Sequence, residues 1–186
     1  MDSRLRGNDR KNIMLQLVKA PDNKLRVKTR PVKKITGGHL QTIKEMIKLT
    51  KTFMDPEGVG LASTQVGLDE QFFVSKKEDG TFRAYFNPKV IAFSKTSKKM
   101  VEGCLSIPNY WGEIVRPIAV TVEYLNEKGE KVQEKLTGLE AHVFQHECDH
   151  LEGKLFMDKV LEQKARLFKV VGRDRTGSEV VEEVAL

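Results

Sequence analysis

A chain of 186 residues, 39% hydrophobic and 31% charged, is long enough for one domain with its own core and has no stretch apolar enough to span a membrane. A net charge of +6 would suit an acidic partner such as RNA, yet the lysines are scattered along the whole chain, as solvated faces require. Two cysteines, Cys104 and Cys148, make no disulfide framework, so a reducing compartment is the simpler setting.

Residues 1–13 are basic and polar and lack the apolar segment of a secretory signal. Asp2 and Asp9 speak against an organelle transit peptide, so the segment reads as an N-terminal extension or a misassigned start ahead of Met14. Thr36-Gly37-Gly38 reads as a turn leading into a helix over His39–Met54, where Leu40, Ile43, Met46, Ile47 and Phe53 recur at helical spacing. Asp55-Pro56-Glu57-Gly58 ends that helix and opens a glycine-rich loop, Gly58-Val59-Gly60, that continues to Gln65 and Gly67.

Between Gln71 and Leu136 the pattern turns strand-like. Short runs rich in β-branched and aromatic residues fall at 72–74, 82–86, 90–93, 118–125 and 131–136. Asp79-Gly80 and Glu127-Lys128-Gly129 have the chemistry of hairpin turns. A second helix follows, with Thr137 and Glu140 as a capping box and Gly153 as a left-handed terminator. A third helix is expected from Lys159 to about Val171, with a polar tail beyond. The sum is an α+β domain: short antiparallel or mixed strands around a central metal-bearing helix, with a helix towards each end.

The chemistry concentrates on that central helix. His146-Glu147-Cys148-Asp149-His150 is a His-Glu-x-x-His motif, and residues four apart share one helical face, so both imidazoles can reach one ion. Glu147 can then point at a metal-bound water. Two histidines bind weakly alone, and catalytic sites usually have three protein ligands and an open position. The zinc-protease patterns are not completed, since Phe156 and Val170 stand where their third ligands would be. Cys104, beside a glycine in Glu102-Gly103-Cys104-Leu105-Ser106, is the better third ligand. Cys148 points elsewhere on the helix and reads as a small buried hydrophobe.

Three segments, Gly58-Val59-Gly60-Leu61-Ala62-Ser63-Thr64-Gln65, Glu102-Gly103-Cys104-Leu105-Ser106 and His146-Glu147-Cys148-Asp149-His150, closely resemble the signature motifs of peptide deformylases in order and spacing. The similarity runs from about Leu15 to Asp158 and includes Pro21-Asp22, Asn87-Pro88 and Arg116-Pro117. The resemblance implies a single catalytic domain over 14–186 that removes the formyl group from N-formylmethionine on newly made polypeptides and releases formate. Cys104, His146 and His150 would ligate one divalent metal, Fe2+ natively, with Zn2+, Ni2+ or Co2+ as replacements. Glu147 would be the general base, and the Gln65 side-chain amide with the Leu105 backbone N–H would stabilise the oxyanion. The peptide would pair like an added strand near Val59-Gly60 and Glu102-Gly103, its methionine in a pocket of Val59, Glu102, Leu139, His142, Val143 and His146. A monomer in a bacterial-type cytoplasm is expected, with an organelle as the alternative setting, N-formylmethionyl nascent peptides as partners and no membrane.

The chain departs from the family pattern at Ser63, where many members have alanine, and at His142, a position often apolar in relatives. His142 reads as a surface or pocket-wall residue, too far along the helix for a fourth ligand. Trp111 is placed either at the cleft mouth or in the packing, and Arg116 as a partner for Glu102 or Asp149. Two other readings stay open: a protease or other amidase using the same helix, and a basic binding protein on a degenerate scaffold. For the second, Lys154, Lys159, Lys164, Arg166, Lys169, Arg173 and Arg175 give the C-terminal region a basic bias suited to ribosome contact.

Overall fold

The computed structural model describes residues 15–185; the expected extension at residues 1–13 lies outside them. The first helix, α1 (Gly37–Thr50), begins two residues earlier than its apolar pattern suggests. Thr36 accepts from the His39 backbone N–H, while His39 Nδ1 accepts from Thr36 N–H at 3.1 Å. This reciprocal cap draws Gly37 and Gly38 into the first turn despite their poor helix propensity. Ile43 and Met46 are buried, whereas Met54 is 80% exposed, because the helix stops at Thr50 and not at Met54. The chain then doubles back so tightly that a Cβ on Gly58 would lie 2.9 Å from Thr50 Cγ2.

Among the described residues, nine strands follow in two antiparallel sheets. They are β1 (Gly60–Ala62), β2 (Phe72–Lys76), β3 (Phe82–Phe93), β4 (Ser97–Cys104), β5 (Ile107–Pro117), β6 (Ala119–Leu125), β7 (Lys131–Thr137), β8 (Leu167–Arg173) and β9 (Glu179–Val184). The first sheet has the order β1-β2-β3-β6-β7, and the second β4-β5-β8-β9. The runs at 82–86 and 90–93 prove to be one strand, β3, with register shifts against β6 around Asn87 and beyond Val90. Asn87 sits at φ +50°, and its amide bonds both N–H and C=O of Val32, tying the leading segment to the sheet.

Helix α2 (Gly138–Leu151) runs between the sheets. It buries Ala141, Phe144 and Leu151 against Phe73, Tyr85, Val120 and Tyr124 of the first sheet. Phe144 meets the Phe73 and Tyr85 rings edge-on at 5.2 and 5.3 Å. Thr137 takes the N-cap position, but the expected capping box does not form. Glu140 is drawn across to the β2–β3 turn, where it accepts from the Glu78 N–H. Gly153 does terminate the helix at φ +72°, and its missing side chain lets Arg26 O approach.

The expected third helix is shorter and earlier. It spans α3 (Phe156–Gln163) and stops where Lys164 turns left-handed at φ +50°. Phe156 and Val160 pack with Ile114 and Leu167, and Val160 sits directly over Gly112 of β5. What reads as the rest of the helix and a polar tail is the hairpin β8–β9, which extends the second sheet beyond β5. Phe168, Val170 and Val171 give Leu167–Arg173 the aromatic and β-branched content of a strand once the helix has ended.

Each sheet thus has an inner and an outer edge. The inner edges, β1 and β4, face one cavity of about 660 Å³ through Gly60 and through Val101–Cys104; the outer edges are β7 and β9.

Candidate active site

The cavity gathers the groups singled out from the sequence. Cys104 Sγ and one nitrogen each from His146 and His150 lie within 4.8 Å of one another, the one such metal-competent cluster among the described residues. The histidines come from one face of α2, and Cys104 comes from the end of β4. A register shift between Glu102 and Cys104 re-aims the thiol towards the helix. At this shift the Trp111 ring packs onto Gly103, where any Cβ would come within 2.7 Å of it.

A hydrogen-bond network fixes which nitrogens face the cluster. His146 Nδ1–H donates to Glu102 Oε1 at 2.6 Å, leaving its Nε2 for an ion. His150 Nε2 lies 3.2 Å from Cys104 Sγ. Glu102 is held in turn by Arg116, whose Nε and Nη2 donate to the two carboxylate oxygens at 2.8 Å each. The remaining arm of Arg116, Nη1, donates to Asp149 on α2 at 2.8 Å. One guanidinium therefore ties β4, β5 and α2 together behind the ligands. Burial works against charge on Glu102, yet His146, the Arg116 bonds and nearby His142 hold its carboxyl well below the usual range.

The donor set fits a divalent ion. One thiolate and two imidazoles make a compact, partly soft site. Glu147 is 3% exposed, and its Oε2 has no hydrogen-bond partner among the described residues, a costly arrangement unless something enters the cavity. Burial pushes the Glu147 carboxyl up to about 7, the range of a general base at neutral pH. Against the lowering effect of burial, Glu102 and Cys104 pull His146 well above the usual imidazole range. Burial and the neighbouring His146 push His150 well below it. These directions belong to the site without an ion, whose charge would favour neutral imidazoles at both positions.

Of the two expected oxyanion donors, Gln65 reaches the thiol with its side chain, and Leu105 follows Cys104 directly in the chain. Gln65 is buried and accepts from Ala62 N–H at 2.8 Å through its carbonyl. That bond turns its Nε2 towards Cys104 Sγ at 3.4 Å and Ser106 Oγ at 3.1 Å. Leu105 lines the cavity beside it. Ser63, the other departure from the family pattern, is buried and donates to Glu70 O, outside the cavity.

The expected pocket residues Val59, Leu139, Val143 and His146 line the cavity, as do Gly60 and Gly103. Gly60 approaches Glu147 so closely that a Cβ there would lie 2.9 Å from the carboxylate carbon. Glu102 also reaches the cavity, but its carboxylate is committed to Arg116 and His146. His142 is buried at the same wall. Its Nε2 comes within 2.8 Å of Glu102 Oε2, off the line of a hydrogen bond, and neither ring nitrogen has a partner among the described residues. Cys148 packs against the core cluster around Phe144, away from the ligands. Phe156 lies in the α3 core, and Val170 lines the cavity as a hairpin residue; neither supplies a donor.

Arg116, expected as a partner for Glu102 or Asp149, holds both at once, across 14 and 33 residues of chain. Two features escaped the sequence reading. The Gly60–Glu147 contact depends on how β1 lies against α2. The C-terminal hairpin supplies Val170, Val171, Gly172 and Arg173 to the cavity wall, a role hidden by its misreading as a helix.

Comparison with known proteins matches residues 14–166 to the polypeptide deformylase family. The chain is 39% identical over 148 residues to a peptide deformylase of Thermotoga sp. (strain RQ2), covering 80% of this chain and 88% of that protein. It is similar to the crystal structure of peptide deformylase from Thermotoga maritima, with a TM-score of 0.73, 38% identity and coverage of 80% and 98% of the two chains. A Met-Ala-Ser-bound class I type b peptide deformylase from Acinetobacter baumannii is similar at a TM-score of 0.70 and 27% identity, over 80% and 99%.

Proposed function

The chain belongs to the polypeptide deformylase family, and from that premise we propose how its own residues remove the formyl group from an N-formylmethionyl peptide. Like its relatives it is a metal-dependent hydrolase, releasing formate and a free methionyl amine. The observation that carries the mechanism is the convergence of Cys104, His146 and Glu147 on a cavity between two unpaired sheet edges, with fully buried His150 completing the ligand cluster.

Cys104, His146 and His150 would hold one divalent ion, which would supply Lewis acidity to polarise the formyl oxygen and acidify water. For the native ion we propose Fe2+, with Zn2+, Ni2+ or Co2+ as substitutes that the same thiolate and imidazoles accept. Glu147 takes a proton from the attacking water as its oxygen bonds to the formyl carbon. The same carboxyl then gives that proton to the peptide nitrogen as the C–N bond breaks, so one group serves as base and then as acid. Gln65 Nε2 and the Leu105 N–H donate to the formyl oxygen as negative charge builds there. Gln65 is ready for this because its own carbonyl is anchored on Ala62 N–H.

The peptide itself lies between β1 and β4, accepting and donating along both edges near Val59-Gly60 and Glu102-Gly103. Its methionine side chain enters the wall formed by Val59, Leu139, His142 and Val143. Binding of Met-Ala-Ser by the Acinetobacter relative supports a peptide-shaped cleft. A single catalytic domain over 14–186, acting as a monomer, is part of the same proposal. Work on nascent peptides also supports a cytoplasmic setting; among the described residues no helix is long and apolar enough to cross a membrane. Ribosome contact through the basic C-terminal region has weaker support, since Lys159, Arg166 and Arg173 are engaged by Glu162, Glu183 and Asp55.

Anaerobic turnover of formyl-Met-Ala-Ser by Fe2+- or Ni2+-loaded protein tests the proposal. Formate release by the wild type, lost in Glu147→Ala and Cys104→Ala, is the expected result. No formate from fully metallated wild type would overturn it.

A further inference from the structure

The family match ends at residue 166, and the hairpin β8–β9 begins at Leu167, so the last strand pair of the cleft wall lies beyond the matched segment. Its placement follows from register. Gly112, Trp111 and Tyr110 of β5 pair with Leu167, Phe168 and Lys169, so β8 runs antiparallel along β5 towards the β4–β5 turn. Continuing past that pairing, Val170–Arg173 reach the cavity beside Ile107 and Asn109. Val171 is half exposed there, an apolar side chain on a wall that already presents Val101.

At the end of β8, Arg173 crosses to the opposite wall. Its Nη2 donates to Asp55 Oδ2 at 2.6 Å, in the loop between α1 and β1, from a residue 118 positions earlier in the chain. Its Nη1 donates to Gly177 O at 2.7 Å, and Glu179 Oε1 lies 3.7 Å from Nη2. The guanidinium is thus braced by its own hairpin and extended to one partner on the far wall. Asp55, Arg173 and Glu179 all line the cavity. Both partners of the bridge are largely solvent-exposed, so it can yield to an entering chain and re-form over it.

We infer that the C-terminal hairpin is a wall of the peptide cleft, and that Arg173, tied across to Asp55, is the specificity-determining residue that fixes how far the enzyme reads a peptide beyond its formylated methionine. The inference rests on the deformylase reading for its substrate. An extended peptide advances about 3.3 Å per residue. Its first residue is therefore held at the metal cluster, and only later residues come under the hairpin. Length dependence is the property that the bridge should control.

The experiment measures KM and kcat of Ni2+-loaded protein for formyl-Met-Ala, formyl-Met-Ala-Ser and a formylated pentapeptide that continues Met-Ala-Ser. Wild type, Arg173→Ala, Asp55→Asn and the double variant are compared. In the wild type KM should fall as the peptide lengthens. In either single variant KM for the pentapeptide should rise about fivefold or more, with a smaller rise for each shorter peptide and little change in kcat. The double variant should be no worse than either single one, because both remove the same bridge. Wild-type length dependence in both single variants would overturn the inference. Binding of the unformylated peptides, followed by Trp111 fluorescence, runs in parallel. If wild type releases no formate, the deformylase reading fails, and the hairpin is judged on binding alone. Weaker pentapeptide binding in both variants then supports its role as a wall, and unchanged binding refutes it.

Discussion

Replacing Gly60 by alanine should stop catalysis while leaving the metal ligands in place. A Cβ at this position lies 2.9 Å from Glu147 Cδ and 3.0 Å from Val143 Cγ1, with the Oε1 oxygen nearer still. Two movements could relieve the overlap. Shifting β1 would strain its ladder with β2, where Gly60 opposes Ser75 and Leu61 opposes Val74. Rotating the Glu147 carboxylate costs only about 0.5–1.5 kcal/mol of rotamer strain. The carboxylate should therefore move, and with it the proton transfer worth about 10²–10⁴ in rate. Overpacking adds roughly 1–3 kcal/mol of destabilisation, which corresponds to a Tm lower by about 2–4 °C per kcal/mol for a chain of this size. The assay is formate release from formyl-Met-Ala-Ser, with metal content and thermal denaturation measured on the same sample. Expected is a folded protein with near-full metal and kcat down at least about a hundredfold. Gly37→Ala, where the added Cβ meets nothing within 4 Å, serves as the control and should retain wild-type kcat. Wild-type kcat in a fully metallated Gly60→Ala protein would show that the Glu147 carboxylate keeps its place.

Glu102→Gln should leave Arg116 buried with only Asp149 as a charged partner, at a cost of about 3–5 kcal/mol read from the urea midpoint. It should also weaken metal retention against a chelator by about 10–100-fold, because His146 Nδ1 loses its carboxylate; unchanged retention would contradict that link. In metal-free protein, burial raises the Glu147 carboxyl to about 7, so its contribution to stability is complete below about pH 4.5 and is lost as pH rises through 7. The full swing is roughly 3 kcal/mol at ~1.4 kcal/mol per pH unit. Glu147→Gln should accordingly gain on wild type between pH 5 and 8 in chemical denaturation, and parallel pH curves would exclude the effect. Gly153→Ala places a side chain at φ +72° and 2.5 Å from Arg26 O, so a loss of at least about 1–3 kcal/mol is expected from thermal melts. A Tm equal to wild type would show that the Arg26 segment gives way.

The ligand helix was readable because its information is local. His146 and His150 are one turn apart, and no tertiary contact is needed to place them on one face. The second sheet was poorly readable for the opposite reason. Lys98, Lys99, Asn109 and Glu113 make β4 and β5 look polar, and Pro108 and Gly112 interrupt the runs. Their strand character comes from pairing with each other and, for β5, from the cover of Phe156 and Val160. Glu140 shows the limit of motif reading: it has the right spacing for a capping box, yet a neighbouring turn offers its carboxylate a backbone N–H instead. Lys164 ends α3 in a conformation that few non-glycine residues adopt, which is why the hairpin beyond it reads as more helix in the sequence.

The four sheet edges also bear on how such a protein survives among unfolded chains. An unpaired strand edge will accept almost any extended polypeptide, and that indifference is the origin of much aggregation. Here the outward edges carry charge: Lys131, Glu134 and Lys135 on β7, and Glu182 and Glu183 on β9. The receptive edges face a shared cavity, and one of them, β1, is only three residues long. A growing chain can thus offer its tip to be paired and released, while the charged outer edges discourage the start of a larger sheet.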